Sequence, residues 1–166
     1  NILLSDSNSA LLTDFGLAKF QNKDLFACPD QMYSYHIPPE LFTTDNLTIL
    51  SDIYQSGVTI YRLCNGTNWL KSQLESKDEN ELISMIKYGI FPDRDHYLAH
   101  IPKKLRKLVN KALHINPDKR FDSVIKLLNS LSCIEENLDW RYFNQNNVIC
   151  ISMVGIRIRE VPLSDA

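Results

Sequence analysis

The segment from Ser51 to Gly66 constrains the fold of this chain more than any other stretch. It is about four turns of helix long, and apolar side chains fall on nearly every side of that helix. A helix that is apolar all round is a buried one, so we expect the rest of the chain to pack around it. Ser51 and Asp52 supply N-terminal capping groups, and Gly66 suits a C-terminal cap.

The opening residues predict a hairpin that ends in a carboxylate. Short apolar runs at 1–4 and 10–13 flank a Ser/Asp/Asn cluster, which is typical of two strands joined by a turn. Asp14 follows the second run, and Gly16 tolerates a positive φ, so the chain can bend sharply there and present the carboxylate. Asn1 stands at the mouth of the first strand, which would place it at the same end of the hairpin.

The oxygen atoms of Asn1 and Asp14 form a candidate magnesium site. Mg²⁺ takes few oxygen ligands from a protein and completes its shell with phosphates and water. The short motif Asp14–Gly16 is also compatible with an ordinary strand-to-loop turn, because three residues recur by chance. Motifs farther along the chain therefore have to decide between these interpretations.

The composition is that of one ordinary soluble domain, with 166 residues, 44% hydrophobic residues and a formal net charge of −2. This balance does not favour nucleic acid or an acidic membrane as a partner, and no apolar run is long enough for a membrane span. The cysteines are widely spaced and form no Cys-x-x-Cys, which predicts reduced, mostly buried thiols. We therefore expect a cytoplasmic protein.

Three further amphipathic helices are predicted after the central one. Their spans are 78–89, 103–114 and 122–131. Asp78 as N-cap and Glu81 three residues later form a capping-box pattern that opens the first of them. Residues 67–77 and 91–100 lack periodicity and are predicted to be loops.

The helix predicted over 103–114 carries a concentrated basic face. Its cationic residues are Lys103, Lys104, Arg106, Lys107 and Lys111. Such a patch could contact nucleic acid or acidic substrates. A solvated helix face whose charge is cancelled by neighbouring acidic residues is the simpler interpretation.

The last part of the chain, 133–166, is predicted to be a β appendage of unknown role, separate from a first domain over 1–132. Val148–Val161 has the pattern of one or two strands with a possible bend at Gly155, and a polar turn precedes it. Two strands cannot stand alone, so we expect them to pack on the rest of the protein or on a partner.

Three motifs resemble those of eukaryotic-type protein kinases. Asn1–Leu4 followed by Asp14–Lys19 (DFGLAK) resembles the catalytic-loop Asn and the Asp-Phe-Gly segment. His36–Leu41 (HIPPEL) is similar to the Ala-Pro-Glu end of the activation segment, and Pro117–Arg120 to the Pro-x-x-Arg before the last helix. The resemblance implies a mainly helical (α+β) kinase-like C-lobe with a short N-terminal hairpin.

The resemblance implies specific roles for five residues. Asp14 would hold Mg²⁺ on the phosphates of ATP and Asn1 the second Mg²⁺, so these two are the catalytic, cofactor-binding and metal-binding candidates. Arg120 would pair with Glu40, and Asp52 would reach back to the catalytic-loop backbone. The implied activity is transfer of the ATP γ-phosphoryl group to hydroxyls of protein substrates, with Ser/Thr favoured over Tyr by the DFGLAK motif and by the sequence around Asp52.

Several parts of the kinase pattern do not occur in these 166 residues. There is no Gly-rich loop, strand Lys or helix Glu, and the His-Arg-Asp motif with its general base would lie just upstream of Asn1. Position 1 is not Met and opens a predicted strand. We therefore expect a fragment that normally meets an N-lobe of the same chain and is inactive alone, since phosphoryl transfer depends on positioning and charge stabilisation.

The predicted activation segment leaves alternatives open. Residues 17–32 contain no Ser, Thr or Tyr, and Tyr33 falls where the family has a Thr that meets the catalytic loop and substrate. These departures favour a pseudokinase or scaffold that binds partners without catalysis, whereas Asn1 and Asp14 favour an active parent. A third alternative is a truncated product that exposes the apolar face meant for the N-lobe.

Overall fold

The computed structural model describes residues 2–7, 9–16, 18–27, 33–44, 46–135, 140–145, 148–153 and 156–162. The strands are β1 Ile2–Leu4, β2 Ala10–Leu12, β3 Trp140–Gln145, β4 Val148–Met153 and β5 Ile156–Pro162. The helices are α1 Leu41–Thr44, α2 Ile49–Asn65, α3 Thr67–Ser72, α4 Glu79–Lys87, α5 Lys103–Ala112 and α6 Val124–Ser132. The expected architecture, mainly helical with an N-terminal hairpin and a C-terminal β appendage, is confirmed. No helix in the described part of the chain is long and apolar enough to cross a bilayer.

Helix α2 forms the centre of the hydrophobic core, as its apolar surface predicts. Its Ile53, Tyr54, Val58 and Tyr61 are at most 1% exposed. Helices α3, α5 and α6 all contact it. At Gly57 the approach of α5 is so close that an added Cβ would lie 3.0 Å from the Cβ atom of Ala112.

The start of α2 differs from the prediction. The helix begins at Ile49 rather than Ser51, and its N-cap is Thr48. The Thr48 side chain accepts a hydrogen bond from the Leu50 amide at 3.1 Å, and the Ser51 hydroxyl accepts one from the Thr48 amide at 3.1 Å. Ser51 thus closes a capping box from the third helical position, and Asp52 lies in the first turn without capping it.

The prediction of a loop over 67–77 is wrong for its first half, where α3 follows α2 directly. Leu70 of this short helix is buried, and the indole of Trp69 donates a hydrogen bond to the Tyr61 hydroxyl at 3.0 Å. These contacts with α2 stabilise a helix of six residues, which is too short to show a periodic pattern. The predicted capping box of α4 is confirmed, since the Glu81 amide donates to the Asp78 carboxylate at 2.8 Å.

The prediction of one or two strands over Val148–Val161 is confirmed, because β4 and β5 lie there. A further strand, β3, precedes them, so the appendage has three strands. They form an antiparallel sheet in the order β3-β4-β5, in which Tyr142 pairs with Ile151 and Ile151 with Ile158. The aromatic-rich run that became β3 was not predicted to be a strand. Three strands are the number at which a sheet with an apolar face becomes stable when that face is packed.

The free cysteines are only partly as expected. Cys64 is buried and reduced, but Cys133 is exposed. Cys28 and the side chain of Cys150 lie outside the residues that the structure describes.

We expect Thr48→Ala to lower the free energy of unfolding by about 1 kcal/mol, because it leaves an amide of the first turn of α2 without its acceptor. Urea denaturation measures this difference. Thr48→Ser keeps the acceptor oxygen and serves as the matched control, with most of the stability retained. Equal losses in the two variants would show that the methyl group of Thr48, and not its oxygen, is what matters.

Candidate functional site

Asp14 lies just past the end of β2 and is exposed. It adopts a φ of 62°, in the left-handed region. Gly16 was expected to supply this conformation, and that expectation is wrong, because Asp14 makes the bend itself. Asp is one of the few residues other than Gly that tolerate this region. A Cβ at position 16 would lie 3.4 Å from the Asp14 Oδ1 atom, so the carboxylate turns back over Gly16.

The hairpin brings two chain segments to one end. Strands β1 and β2 are antiparallel, and Ile2 pairs with Leu12. The start of β1 and the end of β2 therefore lie at the same end of the hairpin, which is the end that carries Asp14. Asn1 itself lies outside the described residues.

The donor chemistry at this end fits a divalent cation that is shared with phosphates. Asp14 presents a carboxylate to solvent, and Mg²⁺ characteristically takes only one or two carboxylates from a protein. No group of three or more His, Cys, Asp or Glu side chains that could hold a metal occurs among the described residues. The described residues therefore form no enclosed metal cage, and Asp14 presents one carboxylate to solvent at this end of the hairpin.

The hairpin around Asp14 exposes a large apolar surface. The exposed fraction is 73% for Leu4, 66% for Leu12 and 65% for Phe15. Side chains of this size and number on so short a hairpin are typical of a surface that meets another protein element. The sequence analysis did not assign such a surface to the hairpin.

An ion pair joins the end of the predicted activation segment to the turn before α6. The Arg120 guanidinium donates to both carboxylate oxygens of Glu40, at 2.8 Å to Oε1 and 2.6 Å to Oε2. Arg120 is only 4% exposed. The Ser51 hydroxyl also donates to Glu40, at 2.7 Å. The pairing of Arg120 with Glu40 that the kinase resemblance implies is thus present in the structure.

Arg120 has further partners that fix its position. Its guanidinium donates to the carbonyl oxygens of Leu50, His114 and Ile115 at 2.8–3.2 Å. It also lies over the ring of Tyr54, with 4.9 Å between the guanidinium carbon and the ring centroid. A buried charge is stable only when its hydrogen bonds are satisfied, and here all five N–H donors of the guanidinium are used.

The ionisation of Glu40 follows from these contacts. Burial acts to raise the pKa of its carboxyl, but the hydrogen bond and charge of Arg120, helped by the Ser51 hydroxyl, outweigh burial and hold the pKa below its usual value. The ion pair therefore holds the segment that ends at Glu40 against the start of α2.

Asp52 stands at the same end of α2, with a different environment. Its side chain is exposed, yet the surrounding protein removes part of its hydration and raises the pKa of the carboxyl. Within the described residues its carboxylate has no hydrogen-bond or ion-pair partner.

A groove that the sequence analysis did not predict lies between the activation-segment end and α4. Its volume is about 320 Å³. The apolar lining comes from Ile37, Phe42, Leu82 and Ile83, and the polar lining from Ser34, Lys77, Asp78 and Glu79. The apolar stripe of α4 was readable in the sequence, but the residues that face it come from a segment without periodicity.

Comparison with known proteins decides the family. A family model described as the protein kinase domain matches residues 1–131. This chain belongs to the protein kinase domain family. The kinase resemblance of the opening motifs is therefore confirmed, and the Glu40–Arg120 pair lies within the matched region.

Three of the similar proteins are fungal kinases. The chain is 29% identical to the G2-specific protein kinase nimA of Emericella nidulans, over 74% of this chain and 17% of that protein. It is 32% identical to the serine/threonine-protein kinase ppk34 of Schizosaccharomyces pombe, over 72% of this chain and 32% of that protein. It is 26% identical to the DNA damage response protein kinase DUN1 of Saccharomyces cerevisiae, over 93% of this chain and 27% of that protein. The chain thus spans a third or less of the length of each of these relatives.

We expect Arg120→Met to lower the free energy of unfolding by about 3–5 kcal/mol, because it leaves the Glu40 carboxylate buried without a counter-charge. Adding Glu40→Gln to this variant should recover part of the loss. Lys77→Met, which breaks the exposed pair with Glu81, is the control and should cost less than about 1 kcal/mol. A double variant no more stable than Arg120→Met alone would contradict the assignment of the loss to an unpaired charge.

The lowered pKa of Glu40 predicts a pH dependence. Because the folded state favours the ionised carboxylate, its stabilising contribution is complete above the ordinary Glu pKa of about 4.3 and is lost as the pH falls through the lower folded value. The difference in unfolding free energy between the natural chain and Glu40→Gln should thus be largest near neutral pH and shrink below about pH 4. Denaturant titrations of both proteins across this range measure it, and a constant difference would refute it.

Proposed function

We propose that this chain is part of a protein kinase that transfers the γ-phosphoryl group of ATP to Ser or Thr hydroxyls of proteins. The match to the protein kinase domain over residues 1–131 carries this proposal. The preference for Ser and Thr is supported by similarity to ppk34, whose name states that specificity. Asp14, in the motif that binds the nucleotide metal in the family, retains a carboxylate and an exposed position.

The proposed roles at the site are divided between metal ligands and positioning groups. Asp14 would hold the metal on the nucleotide phosphates, and Asn1 would hold a second one. Mg-ATP, when bound, supplies the phosphoryl group and the cations that neutralise its charge. Glu40 and Arg120 would act as positioning residues, since their ion pair fixes the segment between Asp14 and α1 at its far end. Asp52 would accept hydrogen bonds from the catalytic-loop backbone.

The groove between Ile37, Phe42 and α4 is the proposed contact for the protein substrate. It adjoins the end of the segment that starts at Asp14, and its apolar lining can take an apolar side chain of an extended substrate. Substrate binding there would not depend on the metal ligands.

We also propose that the exposed hairpin packs against a kinase N-lobe and that these 166 residues do not transfer phosphate alone. The exposed Leu4, Leu12 and Phe15 give the hairpin a surface suited to such a contact. The sequence contains no Gly-rich loop, no phosphate-binding strand Lys and no His-Arg-Asp motif. Catalysis of phosphoryl transfer rests on these positioning groups.

The alternative is a pseudokinase or scaffold, and one observation favours it. Tyr33 stands about where kinases have the Thr that meets the catalytic loop, and this Tyr is 54% exposed. A pseudokinase or scaffold would bind a protein partner in the groove but would not catalyse phosphoryl transfer.

A phosphotransfer assay tests the proposal and separates it from the alternative. The longest natural product that contains these residues should phosphorylate a generic Ser/Thr substrate with Mg-ATP, and Asp14→Asn should lower the rate at least about a hundred-fold. Asp118→Asn, an exposed change far along the chain, is the matched control and should keep the rate. Turnover that survives Asp14→Asn would overturn the metal role. Absence of turnover in the natural product would favour the scaffold, and turnover by the 166-residue chain would refute its proposed inactivity.

A further inference from the structure

Positive charge is segregated in one stretch of the sequence. Residues 96–117 include five Lys or Arg residues, and all 20 acidic residues of the chain lie outside this stretch. The chain as a whole has a formal net charge of −2, so the segregation is local.

Helix α5 arranges lysines of this stretch in a row along one exposed face. Its buried face consists of Leu105, Leu108, Val109 and Ala112, which pack into the core and hold the helix rigidly. The opposite, exposed face carries Lys103, Lys107 and Lys111, which we call the lysine stripe. These residues are four apart, so their Cα atoms are spaced at about 6 Å along the helix axis.

The lysine stripe lacks carboxylate partners. Within the described residues, Lys103, Lys107 and Lys111 make no ion pair. In the described part of the chain, these three ammonium groups are therefore not neutralised by a direct ion pair, and they lie on the solvated helix face that the sequence predicts. The Lys111 ammonium lies 4.4 Å from the ring centroid of Phe121, a contact that restrains the side chain without neutralising it.

Arg106 is not part of this array. Its guanidinium donates to the carbonyl oxygens of Leu98, Ala99 and Ile101 at 2.8–3.4 Å. These bonds fix the turn before α5 and engage the donors of Arg106. The charges free to bind a partner on this face are therefore those of the lysine stripe.

We propose that the lysine stripe binds a short acidic segment of a partner protein in an extended conformation, with Asp or Glu at alternate positions. In an extended chain, alternate side chains point to the same side at intervals of about 6.6 Å. This spacing matches the lysine stripe, so three carboxylates on one side of the segment can meet three ammonium groups in register. The proposal concerns a face of the domain other than the candidate phosphoryl-transfer site and does not depend on that function.

Other anionic partners fit this face less well. Insertion of an amphipathic helix into a membrane surface needs large exposed apolar side chains on the same helix as the basic ones, and α5 exposes none. A long nucleic acid would extend past the 12 Å of the lysine stripe, given the helical rise, onto a protein whose remaining charge is strongly acidic. A short acidic segment meets only the lysines.

Fluorescence anisotropy at low ionic strength tests the proposal with the full chain and two labelled seven-residue peptides. One has the sequence Ser-Glu-Ser-Glu-Ser-Glu-Ser, and the other has the same composition with its three Glu consecutive. We expect the alternating peptide to bind several-fold more tightly. Replacement of all three stripe lysines by Gln should weaken its binding about ten-fold, and added salt should weaken it further.

The matched control replaces Lys23, Lys71 and Lys87, which are exposed elsewhere, by Gln. It makes the same change in net charge and should leave binding of the alternating peptide within about two-fold. Thermal unfolding of both triple variants checks that they fold. Equal weakening by the control, equal affinity for the two peptides, or tighter binding of a ten-nucleotide thymidine oligomer would overturn the proposal.

Discussion

The ion pair between Glu40 and Arg120 is the interaction on which the arrangement of this domain depends. It joins residues that are 80 positions apart and is almost completely removed from water. Two charges in such a place are costly to desolvate, and the structure offsets this cost with the Ser51 hydroxyl and three backbone carbonyls. The pair therefore specifies one geometry, in which the segment before α1, the start of α2 and the turn before α6 meet at a point.

The Glu40–Arg120 pair lies at one end of the chain segment that begins at Asp14. The segment that begins at Asp14 is held at its far end by Glu40, and α1 follows Glu40 directly. The hairpin at the near end is held less, since its apolar side chains remain exposed. The domain thus combines a helical base built around α2 with a hairpin at its edge that has few packing contacts.

Prediction from the sequence was accurate where a local sequence pattern determines the secondary structure or the burial of an element. The buried α2 follows from its apolar surface, and the start of α4 from the capping box of Asp78 and Glu81. The Glu40–Arg120 pair was implied only by family resemblance, because nothing local connects the two residues. Helix α3 depends on tertiary contacts such as that of Trp69 with Tyr61, and the groove beside α4 depends on packing between distant segments. Neither kind of contact produces a periodic pattern in the sequence. The bend at Asp14 was assigned to the neighbouring Gly because Gly is the usual residue there.

The close contact of Gly57 with Ala112 also has a consequence for how this domain can vary. The two positions share one small volume, so a larger residue at either requires a smaller one at the other or a separation of the helices. Helices α2 and α5 therefore form a single mechanical unit. A partner seated on the lysine stripe of α5 would therefore bind to a helix that cannot move independently of the central helix α2.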